Sequence, residues 1–338
     1  MTKNDILEIK QLLNAPRNIV IVPHKNPDGD AMGSSLALYH YLKGLGHQTK
    51  VIVPNDYPSF LKWLPGDRTV LIYEGSVDMA NTAIADADII FTLDFNALNR
   101  TGAMEPALKS ASAVKILIDH HQQPENYAKY IYSDVSMSST CEMIYHFLVM
   151  LDAVLSIDAK IASCLYVGIM TDTGSFRFSS TTSTTHRVVA DLIDKGAKNT
   201  VIHNKVYDNN SHNRLKLLGC ALNNLKVLKD YNTAYITLSQ EELNAFKFKK
   251  GDTEGVVNYA LSVKDVQFAV IFIEHKIESL VKISFRSNSA FDVNQFARKH
   301  FNGGGHINAA GGRSEMSLND TIEKFISILP QYKNDLKS

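Results

Sequence analysis

NIVIVPHKNPDGDAMGSS, residues 18–35, begins as one kind of structure and ends as another. The β-branched run Ile19 to Val22 favours a strand with both faces covered. Pro27 and Gly29 then punctuate a turn, and the residues from Ala31 onward suit a helix. A strand passing through a tight loop into a helix is half of a βαβ unit, and the rest of the N-terminal half repeats the rhythm. Further β-branched or apolar runs stand at 50–54 (KVIVP), 70–73 (VLIY), 88–94 (DIIFTLD) and 115–119 (KILID), with helical patterns between them. This alternation predicts an α/β fold, a parallel sheet covered by helices. Three of the runs pass directly into His24, Asp94 or Asp119, at the carboxyl ends where open parallel sheets place ligands.

Beyond residue 137 the pattern turns helical. TTSTTHRVVADLIDKG at 181–196 reads as a helix with a Thr-rich start and a glycine stop. YNTAYITLS, VQFAVIFIEH and LVKISFRS, further on, are strand-like with helices among them. The expected organisation is a catalytic domain over 1–185, a helical connector over 186–222, and a smaller α+β domain with a mixed sheet over 223–338. A length of 338 residues suits two cores rather than one.

Hydrophobic residues make up 45% and charged residues 21%, an ordinary globular balance that excludes disordered and fibrous classes. Lys plus Arg and Asp plus Glu are 35 each, so no global basic field exists to hold a long duplex by counterion release. Cys141, Cys164 and Cys220 stand far apart without a CxxC pair, which suits reduced, structural thiols. No apolar run approaches a membrane span and the N-terminus lacks a signal-peptide pattern, so a cytoplasmic location is expected.

The chemistry concentrates at the strand ends. His24, Asp28 and Asp30 share one short loop, where Gly29 is expected to permit the turn separating the two carboxylates. Taken alone, Asp28 and Asp30 also suit turn and N-cap positions. LDFN, however, places Asp94 at another strand end, ILIDHHQQ places Asp119, His120 and His121 at a third, and Asp172 follows the apolar helix ASCLYVGIMTDTG. So many carboxylates beside one sheet edge repel unless cations lie among them. Oxygen-rich sites with a few imidazoles and no thiolate suit hard divalent ions, Mn²⁺ first and Mg²⁺ second, rather than zinc. The donor set is too large for one open ion and suits a pair about 3.5 to 4 Å apart sharing a carboxylate. Asp94 is the natural bridge.

These motifs resemble those of the DHH phosphoesterase superfamily, in HKNPDGDAMGS, the strand ending in Asp94, Asp119-His120-His121 and the Asp172 segment. The C-terminal part resembles the DHH-associated domain through EGVVNYAL at 254–261, KISFRS at 282–287 and FNGGGHINAAGG at 301–312. The resemblance implies one metal on His24, Asp28 and Asp94 and a second on Asp30, Asp94, His120 and Asp172. His121 would face the substrate phosphate, and Asp119 would orient a neighbouring histidine. Gly303, Gly304 and Gly305 would offer backbone N–H groups as an anion nest, His306 would add a donor, and Arg286 would reach a second phosphate. Arg177 either touches substrate or pairs with an acid.

Within the superfamily the two-domain plan is similar to the nanoRNase and 3′-phosphoadenosine 5′-phosphate phosphatase group. That implies a cytoplasmic hydrolase acting, by two-metal activation of water, as an oligoribonuclease or exonuclease on short oligonucleotides or dinucleotides and/or as a phosphatase of 3′-phosphoadenosine 5′-phosphate, away from membranes and long duplexes, with homodimerisation left open. The alternatives are a phosphodiesterase of cyclic or linear di-adenylate and a non-catalytic nucleotide sensor. Trp63 is read as packing, the SSTCE segment at 138–142 as a capped helix start that by the resemblance borders the site, and His186, His203 and His212 as solvent-facing.

Overall fold

The computed structural model describes every residue except 277, 337 and 338, so the last two residues of the expected C-terminal domain lie outside the described set. The chain divides into two compact units, Met1–Asn209 and Asn210–Ser338. The helical run expected as a connector is shared between them. Helices Ser183–Asp194 and Asn199–Val206 fall in the first unit and His212–Asn223 in the second.

The first unit is built on strands β1 (Asn18–Pro23), β2 (Gln48–Val53), β3 (Leu71–Ile72), β4 (Ile89–Leu93), β5 (Val114–Asp119) and β6 (Tyr130–Ser133). They form one sheet in the order β3-β2-β1-β4-β5-β6, and every neighbouring pair is parallel. The α/β reading therefore holds, with one strand more than expected. β6 escaped notice because YIYS is short and half-buried, with no period to read. Alternation assigns the faces: Ile19 and Ile21 join the core beneath helices Gly29–Gly44, Thr140–Met150 and Ala159–Asp172, while Val20 and Val22 join a second core on the other face.

Strand order matters more for function than the helices do. From β1 the chain runs outward to β2 and β3, then returns to β4 on the other side of β1 and runs outward through β5 to β6. β1 and β4 thus flank the point where the winding reverses, and a crevice opens outside their carboxyl ends at such a point. His24 follows β1 and Asp94 follows β4.

The helix Gly29–Gly44 is buried along most of its length and packs closely on Ala159–Asp172. The close approach depends on glycine. A Cβ at Gly29 would sit 2.2 Å from Thr171 Oγ1, one at Gly33 2.5 Å from the Cys164 carbonyl, and one at Gly168 2.1 Å from Cys141 Sγ. This corrects the expected role of Gly29. It is the first helical residue and needs no left-handed backbone; it is small because Thr171 lies against it, and the left-handed position in the loop is Asn26 at φ 59°.

The second unit holds β7 (Lys226–Leu228), β8 (Thr233–Leu238), β9 (Phe268–His275), β10 (Leu280–Ser287), β11 (Gly304–Gly305) and β12 (Ala309–Ser314). The order is β11-β12-β10-β9-β8-β7, with β8 and β9 parallel and the other pairs antiparallel, so the sheet is mixed as expected. An aromatic core of Phe268, Phe272, Phe285, Phe296 and Phe325 fills one face; Ala234, Ile236, Ile271 and Ile273 line the other. AAGG belongs to a strand, a role its glycines had obscured. Among the described residues no helix is long and apolar enough to cross a membrane.

Candidate metal centre

Three strand ends and two helix ends bring the acids and imidazoles of the first unit together. Asp28 is the N-cap of Gly29–Gly44, and its Oδ1 accepts from the N–H groups of Asp30 and Ala31 at 3.0 and 3.1 Å. Its Oδ2 lies 3.9 Å from His24 Nε2. The capping and ligand readings of Asp28 are therefore compatible, one oxygen serving each. Across β1 and β4, His24 Nε2 lies 3.5 Å from Asp94 Oδ2. The His24 ring is fixed from behind by a hydrogen bond from Nδ1 to the Lys25 carbonyl at 2.8 Å.

A second group forms around His120. Its Nε2 is 3.8 Å from Asp30 Oδ2, 3.6 Å from Asp94 Oδ1 and 3.5 Å from Asp172 Oδ2. The two oxygens of Asp94 thus face different histidines, Oδ2 toward His24 and Oδ1 toward His120. Potential ligand atoms of His24, Asp28 and Asp94 fall within 4.8 Å of one another, and the same holds for Asp30, His120 and Asp172. His121 Nδ1 donates to Asp119 Oδ1 at 2.7 Å and lies 3.7 Å from Asp94 Oδ1.

The electrostatics are those of a site built around positive charge. Burial, followed by the charges of Asp30 and Asp28, holds the Asp94 carboxyl well above the usual carboxylate range. Asp30 is raised chiefly by burial. For His120, burial pushes downward, but Asp172, Asp94 and Asp30 outweigh it and lift the imidazole to about 9. Burial and then the neighbouring His120, Arg100 and His24 push His121 well below its ordinary value. Carboxylate oxygens aimed from several sides, with imidazole nitrogens among them and no thiolate within the set, fit hard divalent cations.

The resemblance puts the SSTCE segment at the border of the site, but the part that Thr140 and Cys141 play in it was not foreseen. The backbone N–H groups of Thr140 and Cys141, at the start of Thr140–Met150, donate to Asp30 Oδ2 and Oδ1 at 2.6 and 2.8 Å. The Thr140 hydroxyl donates to Asp94 Oδ1 at 2.9 Å. SSTCE does contain the expected cap, since Ser139 accepts from the Glu142 N–H, but the first turn beyond it grips two carboxylates of the cluster. A hydroxyl directly after an N-cap was the available signal.

Other expected residues lie elsewhere. Arg177 is exposed and its Nε donates to the Gly174 carbonyl at 2.8 Å, in a turn where Gly174, Ser175 and Phe176 all have positive φ. Trp63 packs partly buried on the first core, with Lys205 Nζ 5.4 Å from its ring. His186 and His212 are exposed, as expected. His203 is not: it is half-buried, with Nε2 3.4 Å from the Tyr166 hydroxyl.

In the second unit, Arg286 on β10 pairs in register with Ala309 on β12, next to the β11 glycines. Two of the three glycine N–H donors expected to form a nest, and the N–H of His306 beside them, have partners inside this unit. Gly303 N–H donates to the Ala297 carbonyl, Gly305 N–H to Asn294 Oδ1 and His306 N–H to the Ala309 carbonyl, so these donors are used within the fold.

Comparison with known proteins agrees with this architecture. The DHH family, N-terminal domain, matches residues 18–169 and the DHHA1 domain matches residues 231–334. A bifunctional oligoribonuclease and PAP phosphatase NrnA of Thermus thermophilus is 28% identical over 325 residues, covering 95% of this chain and 91% of the relative. The crystal structure of an exopolyphosphatase-related protein from Bacteroides fragilis superposes with a TM-score of 0.95 at 40% identity, covering 100% of this chain and 98% of that one. RecJ from Thermus thermophilus, solved with Mn²⁺, shares the fold at a TM-score of 0.57 and 13% identity, over 98% of this chain and 54% of RecJ. With both domain types matched in order, and with strand-end acids and imidazoles gathered at the switch point of its parallel sheet, the chain belongs to the DHH phosphoesterase superfamily.

Proposed function

We propose that this chain is a divalent-metal-dependent hydrolase of short oligonucleotides and of 3′-phosphoadenosine 5′-phosphate. The observation that carries the reading is the position of Asp94, whose two oxygens face His24 and His120 in two separate ligand groups. His24, Asp28 and Asp94 would hold one ion; Asp30, Asp94, His120 and Asp172 would hold the other, Mn²⁺ being the first choice for both. Ions bound there supply Lewis acidity and lower the pKa of a coordinated water, so that hydroxide is available near neutral pH.

The chain's own side chains do the rest. Asp119 accepts the His121 proton held on Nδ1, which fixes the ring and leaves Nε2 as the working atom. A phosphate anion arriving at Nε2 would favour a second proton there, and the imidazolium would then donate to a non-bridging oxygen as charge develops. Thr140 holds the Asp94 and Asp30 carboxylates in place without itself meeting substrate. Balanced charge over the whole chain supports short substrates, because processive nucleases track long strands with basic grooves. The similarity to proteins described as oligoribonuclease and PAP phosphatase supports the same substrate class.

The test is a substrate panel on the chelated and Mn²⁺-reloaded protein. It comprises 3′-phosphoadenosine 5′-phosphate, oligonucleotides from dimer to decamer and beyond, linear and cyclic di-AMP, and pyrophosphate. Mn²⁺-dependent turnover of the first compound and of di- to pentanucleotides is expected, absent in Asp94→Ala and falling steeply with length. Undiminished hydrolysis beyond the decamer, or activity in Asp94→Ala, would overturn the reading.

A further inference from the structure

A helix that opens on a hydroxyl cap with Glu three residues later ordinarily turns that carboxylate back to the N–H of the cap itself. Ser139 and Glu142 have this spacing, and Ser139 Oγ accepts the Glu142 N–H at 3.0 Å. The carboxylate, however, goes elsewhere. Glu142 Oε2 accepts from the Ser138 N–H at 3.3 Å, from the Ser138 hydroxyl and from the Thr185 hydroxyl at 3.0 Å, while Oε1 lies 3.8 Å from His146 Nε2. Glu142 is 1% exposed, and a carboxylate is costly to bury unless hydrogen bonds replace its water. Three donors here converge on one oxygen, two from the residue before the cap and one from the first turn of a different helix, Ser183–Asp194.

The segment that Glu142 holds is the one that holds ligands of the metal centre. Just before Ser138, the Met137 carbonyl meets His120 Nδ1 at 3.2 Å. A carbonyl only accepts, so Nδ1 carries the proton of that bond and Nε2 is the ring atom left to face Asp30, Asp94 and Asp172. Just after the cap, Thr140 and Cys141 grip Asp30 and Asp94. His24 and Asp28 are fixed by other means, the Lys25 carbonyl for one and its own helix cap for the other. All these residues belong to the first unit. The helices Thr140–Met150 and Ser183–Asp194 have a second tie, in which the Tyr145 hydroxyl donates to Asp191 Oδ2 at 3.0 Å, and that tie does not involve residues 137–142.

We infer that Glu142 is a positioning residue for the ion that Asp30, Asp94, His120 and Asp172 would hold: by drawing Ser138 and Thr185 onto one buried oxygen it aims the Met137 carbonyl at His120 and the Thr140–Cys141 turn at the two carboxylates. This rests on the metal-dependent reading above and adds an asymmetry to it, since one ion of the pair depends on Glu142 and the other does not.

The test reads metal binding apart from turnover. Calorimetry titrates Mn²⁺ into the full, chelated chain for wild type, Glu142→Ala, Glu142→Gln, Thr185→Val and Tyr145→Phe, and the visible spectrum of the Co²⁺-loaded chain reports ligand geometry. Wild type should bind two ions. Glu142→Ala should weaken one of the two steps by about tenfold or more and shift the Co²⁺ bands, with the other step within about threefold of wild type. Glu142→Gln keeps an oxygen for the same donors and Thr185→Val removes one donor alone, so both should weaken that same step by less; they carry the test if the alanine variant does not fold. Tyr145→Phe unties the same two helices at another point and should leave both steps within about twofold. Unchanged binding in Glu142→Gln and Thr185→Val, equal weakening of both steps, or the same loss in Tyr145→Phe would overturn the proposal. Glu142-dependent binding of one ion in a chain that hydrolyses none of the panel would uphold it while sinking the activity, and a wild type that binds no Mn²⁺ would sink both.

Discussion

The Thr140 hydroxyl donates to Asp94 Oδ1 at 2.9 Å, and the Thr140 N–H donates to Asp30 at 2.6 Å. One buried residue at the start of a helix therefore sets the orientation of two carboxylates, one just past a strand end and one in the first turn of another helix. Thr140→Val keeps the shape and the backbone donor and removes only the hydroxyl. Partners of this kind tune ligands without touching the ion. The expected outcome is a fall of about tenfold in Mn²⁺ affinity at an unchanged melting temperature in chelator, read by calorimetry and thermal scans. An unchanged metal affinity would show that Asp94 needs no such support.

Asp94 is buried among like charges in the metal-free site. Burial and the charges of Asp30 and Asp28 raise its carboxyl well above its ordinary value of 3.8. A raised folded-state value means that its contribution to stability is fully present below the unfolded value and is lost as pH rises through the folded one. At pH well above that range the ionised group weakens the metal-free fold. Asp94→Asn should therefore raise the melting temperature by a few degrees in chelator at neutral or higher pH, while abolishing the further gain that Mn²⁺ gives the wild type. A lower melting temperature for Asp94→Asn in chelator would contradict the like-charge account.

His24, Asp28, Asp30, Asp94, Asp119, His120, His121 and Asp172 were legible in sequence because apolar runs end on them, and a parallel sheet gathers its carboxyl ends at one edge. What sequence left hidden depends on three-dimensional pairing. Thr140 acts through a helix start whose neighbours are remote in the chain, and Gly29 is small because Thr171 lies against it. The left-handed backbone of Asp94 at φ 64° has no local signature in LDFN. β6 and β12 are short or glycine-rich and gain their pairing from neighbours already in place. That the Gly303 and Gly305 N–H groups bond to Ala297 and Asn294 is equally hidden, because a run of glycines does not reveal which N–H groups a hairpin will use.

The packing of Gly29–Gly44 on Ala159–Asp172 predicts a sharp contrast between two glycine substitutions. Gly168→Ala would drive a methyl to 2.1 Å from Cys141 Sγ and 2.7 Å from Asp30 Oδ1. It should cost about 1 to 3 kcal/mol of stability, as overpacking does in tight cores, and weaken metal binding by displacing Asp30. Gly44→Ala sits at the end of the same helix with nothing within 4 Å of the added methyl and no positive φ, and should stabilise by about 0.4 to 1 kcal/mol. Denaturant melts of both variants check the pair. A tolerated Gly168→Ala would mean that the two helices separate more easily than their contact suggests.

His120 links the centre to pH. In the metal-free chain burial lowers its imidazole, but Asp172, Asp94 and Asp30 outweigh that and raise it to about 9. The imidazolium therefore stabilises the metal-free fold fully below the ordinary value of 6.5, and that contribution is lost as pH rises through about 9. Metal ligation needs Nε2 without its proton, so ion and proton compete for one atom. Apparent Mn²⁺ affinity should then tighten with rising pH until about 9, by up to about tenfold per pH unit for a single proton released, with that proton visible as buffer-dependent heat in calorimetry. His120→Asn should bind more weakly and lose this slope. If wild-type affinity is flat across that interval and no proton is released, the ion does not take the place of the His120 proton, and the assignment of His120 to the second metal is wrong.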